Sequence, residues 1–209
     1  MEISPAPDIW IFEKTAWSNG FTKIAGVDEV GRGPLAGPVV SASVILPASF
    51  PESDITDSKK LSPRKREALF LHICDHATAI GIGIIDSAEI DRVNILQASL
   101  LSMALAVNNL SVSPDYLLID GIFPISSELP QQTIVKGDSL SISIASASIV
   151  AKVIRDRLME KYHRQYPLFA FDKHKGYPTK CHREAIRNHG NCPIHRKTFK
   201  GVKEQVNTT

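Results

Sequence analysis

An apolar segment interrupted by two adjacent acids restricts most strongly how this chain can fold. The stretch "IAGVDEVGRGPLAGPVVSASVIL" runs from Ile24 to Leu46, and its β-branched residues predict two strands around a Gly- and Pro-rich turn. Asp28 and Glu29 lie at the end of the first strand, where burying an unpaired charge is costly. Because successive side chains of a strand point to opposite faces, we expect the strand to bend or end there.

Strand and helix patterns alternate along the rest of the chain. Strands are predicted at 23–27, 39–46, 79–85, 116–119 and 133–135. Helices are predicted after Ser62 as N-cap and Pro63, around Val93 to Val107, over 143–164, and over 179–189 before Gly190. The Ser- and Ala-rich start of the third helix predicts close backbone packing. This order favours the α/β class, with a mixed central β-sheet flanked by helices and a helical C-terminal part.

Length and composition indicate one globular domain over residues 1–209, with residues 1–20 as an N-terminal extension. Hydrophobic residues make up 43% of the chain and charged residues 22%. No apolar run reaches membrane-spanning length, and the first residues lack the pattern of a secretory signal. With only three cysteines, these features predict a cytoplasmic protein without a membrane partner.

The charge is concentrated at the C-terminal end. Residues 172–209 contain 9 Lys and Arg residues against 3 Asp and Glu residues, a net charge of +6, whereas the rest of the chain is at −4. This basic part predicts a contribution to binding a polyanion near an acidic, cation-binding site. A solvated basic face remains the alternative.

Four acids follow apolar strands: Asp28, Glu29, Asp120 and Asp138. Each alone is typical of a turn or cap, but clustered carboxylates repel one another unless a cation or a raised pKa relieves them. Oxygen ligands without His or Cys favour Mg²⁺ or Mn²⁺. The adjacent glycines 31 and 33 could bring the backbone close to a ligand.

Five motifs in order resemble bacterial ribonuclease HII over residues 23–200. They are "GVDEVGRGPLAGPVV", "DSKKLSPRKRE", "LLIDG", "KGDSLSISIASASIVAKVIRDRLM" and "DKHKGYPTKCHREAI". The resemblance implies an RNase H-like fold and endonucleolytic hydrolysis of the RNA strand of RNA–DNA hybrids. It also implies cutting 5′ of single ribonucleotides in duplex DNA, leaving 3′-hydroxyl and 5′-phosphate ends.

The resemblance assigns roles to individual residues. Asp28, Glu29, Asp120 and Asp138 match the catalytic, metal-binding acids of the family. The substrate-binding positions are Gly31, Arg32 and Gly33 at the ribose 2′-hydroxyl, Tyr177 at the next sugar, and Ser58 and Lys59 at backbone phosphates. One departure is Leu140, because many family members carry a lysine in the segment after the fourth acid.

The implied partners are RNA–DNA hybrids and duplex DNA containing ribonucleotides. We expect a monomer, and no protein partner can be read from the sequence. Two rival functions are an RNase H-like nuclease that acts on DNA alone and a binding module without catalysis.

Two further groups of residues can each be interpreted in two ways. Lys152, Arg155 and Arg157 are expected on the exposed side of the long helix, where they either follow a DNA backbone or solvate the helix. Cys181, His182, His189, Cys192 and His195 suggest zinc, but their spacing fits no paired zinc motif. We therefore expect His182 and His189, seven residues apart on one helical face, to form a surface or phosphate-facing stripe.

Overall fold

The fold is built on one five-stranded β-sheet. A computed structural model describes residues 8–51, 55 and 61–206, so Ser58 and Lys59 lie outside the described residues. The strands are β1 (Ile24–Val30), β2 (Val39–Ile45), β3 (Ala79–Ile85), β4 (Tyr116–Asp120) and β5 (Gln131–Ile134). Their order in the sheet is β3-β2-β1-β4-β5.

The sheet is mixed, as the sequence predicts. β1 pairs antiparallel with β2 and parallel with β4, and β4 pairs parallel with β5. The predicted bend in β1 is wrong, because the strand continues through Val30 with regular pairing. Asp28 lies opposite Ala42 and Glu29 opposite Ser41 on β2.

Eight α-helices accompany the sheet in the described part of the chain. They are α1 (Ile11–Ser18), α2 (Pro63–His76), α3 (Ser87–Val93), α4 (Ile95–Asn108), α5 (Ile142–Gln165), α6 (Phe171–His174), α7 (Lys180–His189) and α8 (Lys203–Val206). Ser62 caps α2 by accepting a hydrogen bond from Lys65 N, as predicted. None of the helices described is both long enough and apolar enough to cross a membrane.

The helix predicted around Val93 to Val107 is confirmed as α4 but begins at Ile95, because Asn94 separates it from α3. This residue has φ of 73°, which ends α3, and its side chain accepts hydrogen bonds from Leu96 N and Gln97 N, which caps α4. Asn is among the few non-glycine residues that tolerate a left-handed φ, so the break is encoded locally.

Helices α5 and α4 cover opposite faces of β1. Ile24 packs with Ile144 of α5, whereas Val27 packs with Met103 of α4. The predicted close packing of α5 is confirmed at Gly26, where an added Cβ atom would lie 2.2 Å from the Ser143 carbonyl carbon. Side chains along β1 therefore alternate, with every second residue facing α5 and the residues between them facing α4.

The N-terminal helix α1 anchors the start of α5. The buried Glu13 carboxylate accepts hydrogen bonds from Ser141 Oγ at 2.6 Å and Ser143 N at 3.0 Å. Trp10, next to α1, is 4% exposed and packs into the core between α5 and the sheet. This part of the extension therefore holds the end of α5 that lies against β1.

A chain of hydrogen bonds among buried histidines organises the C-terminal part. Cys192 N donates to His195 Nδ1 at 2.9 Å, the two Nε2 atoms of His195 and His182 lie 3.0 Å apart, and His182 Nδ1 lies 2.9 Å from the Tyr177 carbonyl oxygen. The Tyr177 carbonyl only accepts, so His182 Nδ1 carries a proton and its Nε2 accepts from His195. One pair of neutral tautomers satisfies every contact.

This arrangement corrects the expected surface stripe. His182 is 0% exposed, although His189 on the same helix is exposed. Burial lowers the pKa of His182 to about 4 and that of His195 to about 4, and repulsion between their charged forms adds to the effect at His195. Both rings are therefore neutral at physiological pH.

Glycine 26 gives a test of the packing between α5 and β1. We expect Gly26→Ala to lower the free energy of unfolding by about 3 kcal/mol, because the added methyl meets backbone atoms that no side-chain rotation can move. Gly20→Ala is the control: its φ is +92° but no atom lies within 4 Å of the added Cβ, so only about 1 kcal/mol of strain is expected. Urea denaturation measures both, and equal losses would contradict the close approach.

The histidine chain predicts acid sensitivity. Between the ordinary pKa of 6.5 and the folded value of about 4, the unfolded chain binds more protons than the folded protein. The free energy of unfolding should therefore decrease as the pH is lowered from about 6.5 to about 4, by about 3 kcal/mol for one such residue. His195→Gln, which cannot titrate, should show a shallower decline than His189→Gln, whose parent residue is exposed. Denaturation curves at several pH values give the free energy of unfolding of each variant. If it depended on pH equally in both variants, this assignment would be contradicted.

Candidate active site

Three carboxylates meet where β1 and β4 end. Oxygen atoms of Asp28, Glu29 and Asp120 all lie within 4.8 Å of one another. Val27 pairs with Ile119 in the last position that β1 and β4 share, so Asp28 and Asp120 are both one residue further along parallel strands. The parallel register therefore places these two acids side by side.

Glu29 reaches the same place from the other face of the sheet. Asp28 lies on the face covered by α5, where it is hydrogen-bonded by the Ser148 side chain. Glu29 lies on the α4 face and lines a pocket with Asp120, Met103 and others. β1 and β4 are neighbours in the sheet and β4 ends at Asp120, so the Asp120 carboxylate lies at the end of its strand, within reach of Glu29. β1 therefore needs no bend to bring the three carboxylates together.

The electrostatics of the three acids are compatible with a cation site. Burial raises the pKa of Asp28 well above its usual value, and the charges of Glu29 and Asp120 raise it further. Burial also raises the pKa of Glu29 to about 7, which Arg32 partly opposes and Asp120 reinforces. These carboxylates are therefore costly to ionise unless a cation neutralises them.

Hydrogen bonds from the backbone orient the carboxylates. Glu29 N donates to Asp28 Oδ1 at 2.7 Å, and Gly137 N donates to Asp120 Oδ1 at 2.7 Å. The Arg32 guanidinium lies 3.3 Å from Glu29 Oε1. The sequence motif pointed only to the backbone of Arg32, whereas the structure also pairs its side chain with Glu29, three residues away.

Asp138 lies beside this group without belonging to it. It is 6% exposed and lies in a short 3-10 helix, Gly137–Ser139, that follows β5. The group of three carboxylates does not include it, but the neighbouring Gly137 amide binds Asp120. Its role as a fourth acid stays a prediction. Leu140, where the family lysine was expected, is 38% exposed.

The Gly31–Gly33 loop and Tyr177 are brought together from distant parts of the sequence. A Cβ atom added at Gly33 would lie 3.7 Å from Tyr177 Cε1. Leu35 N donates to the Gly176 carbonyl oxygen at 2.8 Å, which joins the two segments. Gly31 has φ of +102°, a conformation that favours glycine. The tyrosine ring therefore lies against the loop, which begins two residues after Glu29.

The long helix differs from expectation at Arg155. This residue is 0% exposed and donates hydrogen bonds to backbone carbonyls, so its predicted place on the exposed side is wrong. Lys152 pairs with Asp156 at 2.7 Å, and Arg157 pairs with Glu67. In the C-terminal part, Arg183, Arg187 and Lys200 line a surface pocket together with Glu204, and Arg187 lies 3.9 Å from Glu184. That this basic part binds a polyanion stays a prediction.

The donor set fits a hard divalent cation. Asp28, Glu29 and Asp120 offer carboxylate oxygens and no nitrogen or sulfur ligand. Mg²⁺ and Mn²⁺ prefer such ligands, and either would remove the repulsion that raises the pKa of Asp28.

Comparisons with known proteins agree with this geometry. The sequence model of the family described as Ribonuclease HII matches residues 25–202. Ribonuclease HII of Geobacter metallireducens is 61% identical over 198 residues, covering 95% of this chain and 93% of that protein. That of Syntrophus aciditrophicus is 60% identical over 189 residues, covering 90% and 89%.

A solved structure shares the fold. Ribonuclease H2 of Pyrococcus horikoshii superimposes with a TM-score of 0.74 at 28% identity, covering 88% of this chain and 97% of that one. The RNase H-like fold expected from the motifs is therefore confirmed. The chain belongs to the ribonuclease HII family, whose members are endoribonucleases that hydrolyse the RNA strand of RNA–DNA hybrids.

Proposed function

We propose that this protein cuts duplex DNA on the 5′ side of a single embedded ribonucleotide, leaving 3′-hydroxyl and 5′-phosphate ends. The observation that supports this most is the position of the Gly31–Gly33 loop. It begins two residues after Glu29 in the sequence and lies against Tyr177 in space. A phosphate held at the carboxylates would therefore have its adjoining sugars between the loop and the tyrosine ring.

Recognition of one ribonucleotide needs a contact with the 2′-hydroxyl. This hydroxyl distinguishes RNA from DNA at a single position. Glycine backbone can approach it closely because no side chain intervenes. Tyr177 is 39% exposed, so its ring is available to stack on the next sugar, which in a junction is a deoxyribose. Together the two contacts would select an RNA–DNA junction.

Divalent cations would be held by Asp28, Glu29 and Asp120, with Asp138 as a further acid. Two such ions would activate the attacking water and stabilise the departing 3′-oxygen. The protein's own part is to hold the three carboxylates in register through β1 and β4, to orient Asp120 through Gly137 N, and to place the substrate's sugar beside the Gly31–Gly33 loop. No covalent enzyme intermediate is needed.

The basic C-terminal part is proposed to contact the flanking duplex. Arg183 and Arg187 lie one helical turn apart on α7 and share a pocket with Lys200, an arrangement that suits successive phosphates. We also propose a cytoplasmic location, where the free thiols Cys74, Cys181 and Cys192 would stay reduced.

The proposed substrate can be tested with three labelled duplexes, namely DNA with one ribonucleotide, a uniform RNA–DNA hybrid and all-DNA, each in Mg²⁺ and in Mn²⁺. We expect cleavage of the first two and none of the third. Asp28→Asn should bind the single-ribonucleotide duplex but cut it at least about 100-fold more slowly, because one ligand charge is lost. Cleavage of all-DNA duplex would favour the rival nuclease, and unchanged cutting by Asp28→Asn would contradict the site.

Tyr177 gives a separate test of junction recognition. We expect Tyr177→Ala to lower kcat/KM on the single-ribonucleotide duplex by about 10-fold to 100-fold, because the stabilisation from one stacking contact is lost. Mn²⁺ binding, followed by calorimetry, should be unchanged. Tyr166→Phe, altered at a tyrosine that packs in the C-terminal core, serves as a control. Normal cutting by Tyr177→Ala would contradict the role.

A further inference from the structure

The largest fully buried side chains described in this protein are two arginines. Arg155, from the middle of α5, and Arg196, from the segment after α7, are both 0% exposed. A buried cation is normally paired with a carboxylate. In the described part of the chain, neither arginine forms an ion pair; both donate to backbone carbonyl oxygens instead.

Arg196 holds the turn between β1 and β2 from both of its ends. Its guanidinium donates to Gly31 O at 2.6 Å, Arg32 O at 3.0 Å and, through two nitrogens, Gly37 O at 3.0 and 2.9 Å. Because these carbonyls are drawn inward to the guanidinium, the shape of the turn depends directly on Arg196.

Arg155 joins this turn to the segment that carries Tyr177. It donates to Pro38 O at 3.0 Å, to Ala36 O at 3.2 Å and to Lys175 O at 2.9 Å, two residues before the tyrosine. Its Cζ atom lies 5.9 Å from the centre of the Tyr177 ring. A Cβ at Gly31 would lie 2.3 Å from Arg155 Nε, so the loop also packs directly on this side chain.

We propose that Arg155 and Arg196 are positioning residues that set the distance between the Gly31–Gly33 loop and Tyr177, and thereby determine the preference for a single ribonucleotide. This inference rests on the function proposed above. Neither arginine contacts the carboxylates, so its action on the substrate is through the two loops.

The chemistry of arginine explains why this residue type suits both positions. A guanidinium offers five N–H donors in a rigid plane, so one side chain can hold several carbonyls in fixed directions. Lysine offers a compact ammonium on a flexible stem and cannot reproduce that geometry. Burial lowers the pKa of Arg155 to about 10 and that of Arg196 to about 9, so both remain protonated at neutral pH.

The experiment compares Arg155→Lys and Arg196→Lys with Arg157→Lys. The control changes a more exposed arginine on the same helix as Arg155, which pairs with Glu67. The kcat/KM values are measured on the single-ribonucleotide duplex and on the uniform hybrid. We expect the ratio of the first to the second to fall about 10-fold to 100-fold in both Lys variants and to stay unchanged in the control, since misplacement by about 1 Å can cost 100-fold.

Hydrogen exchange provides a readout that does not depend on activity. In both Lys variants, amide exchange should rise in peptides covering residues 31–38 and 175–179, while the β-sheet stays protected. Rates that fall equally on the two substrates, or unchanged exchange in the two loops, would overturn the inference. Failure of both Lys variants to fold would also overturn it, because the arginines would then support the whole protein rather than two loops.

The wild-type protein separates the two proposals. If it does not cut the single-ribonucleotide duplex, the proposed function fails. If it does cut and the Lys variants keep its substrate ratio, only the role of the arginines fails.

Discussion

Repulsion among three clustered carboxylates is the constraint on which the rest of this structure depends. Asp28, Glu29 and Asp120 lie within 4.8 Å of one another, and burial together with mutual repulsion raises the pKa of Asp28. A packed protein keeps such a group only where other interactions hold the backbone in place. The acids are carried by two central strands and oriented by main-chain amides, so the folded sheet supplies that restraint.

The same strands connect the acids to the segment that we propose recognises the substrate. β1 passes without a break from the carboxylates into the Gly31–Gly33 loop. Arg196 donates hydrogen bonds to this loop, and Arg155 packs against Gly31 and donates to Pro38 O at the other end of the same turn. The neutral histidine chain secures the carbonyl of Tyr177 from the other side. The three carboxylates, the loop and the tyrosine ring are therefore parts of one hydrogen-bonded unit, although they come from opposite ends of the chain.

Much of the fold could be predicted from local patterns. The strand at Ala79–Ile85 and the N-cap at Ser62 follow from residue type and spacing, and the close packing of α5 follows from its small residues. The bend expected after Val27 was wrong. It rested on the assumption that two acids on opposite faces of one strand cannot reach the same site. In the sheet, β4 stops at Asp120, and this leaves Glu29 free to approach from the opposite face.

The sequence by itself determined the chemical identity of the site, because Asp28, Glu29, Asp120 and the glycine loop are short motifs recognisable without the fold. Only the tertiary structure decided what surrounds them. Arginine and histidine are usually exposed, so sequence placed Arg155 and His182 at the surface. Long-range contacts instead supply carbonyl and imidazole partners that remove the cost of burial, and such partners exist only once the chain has folded.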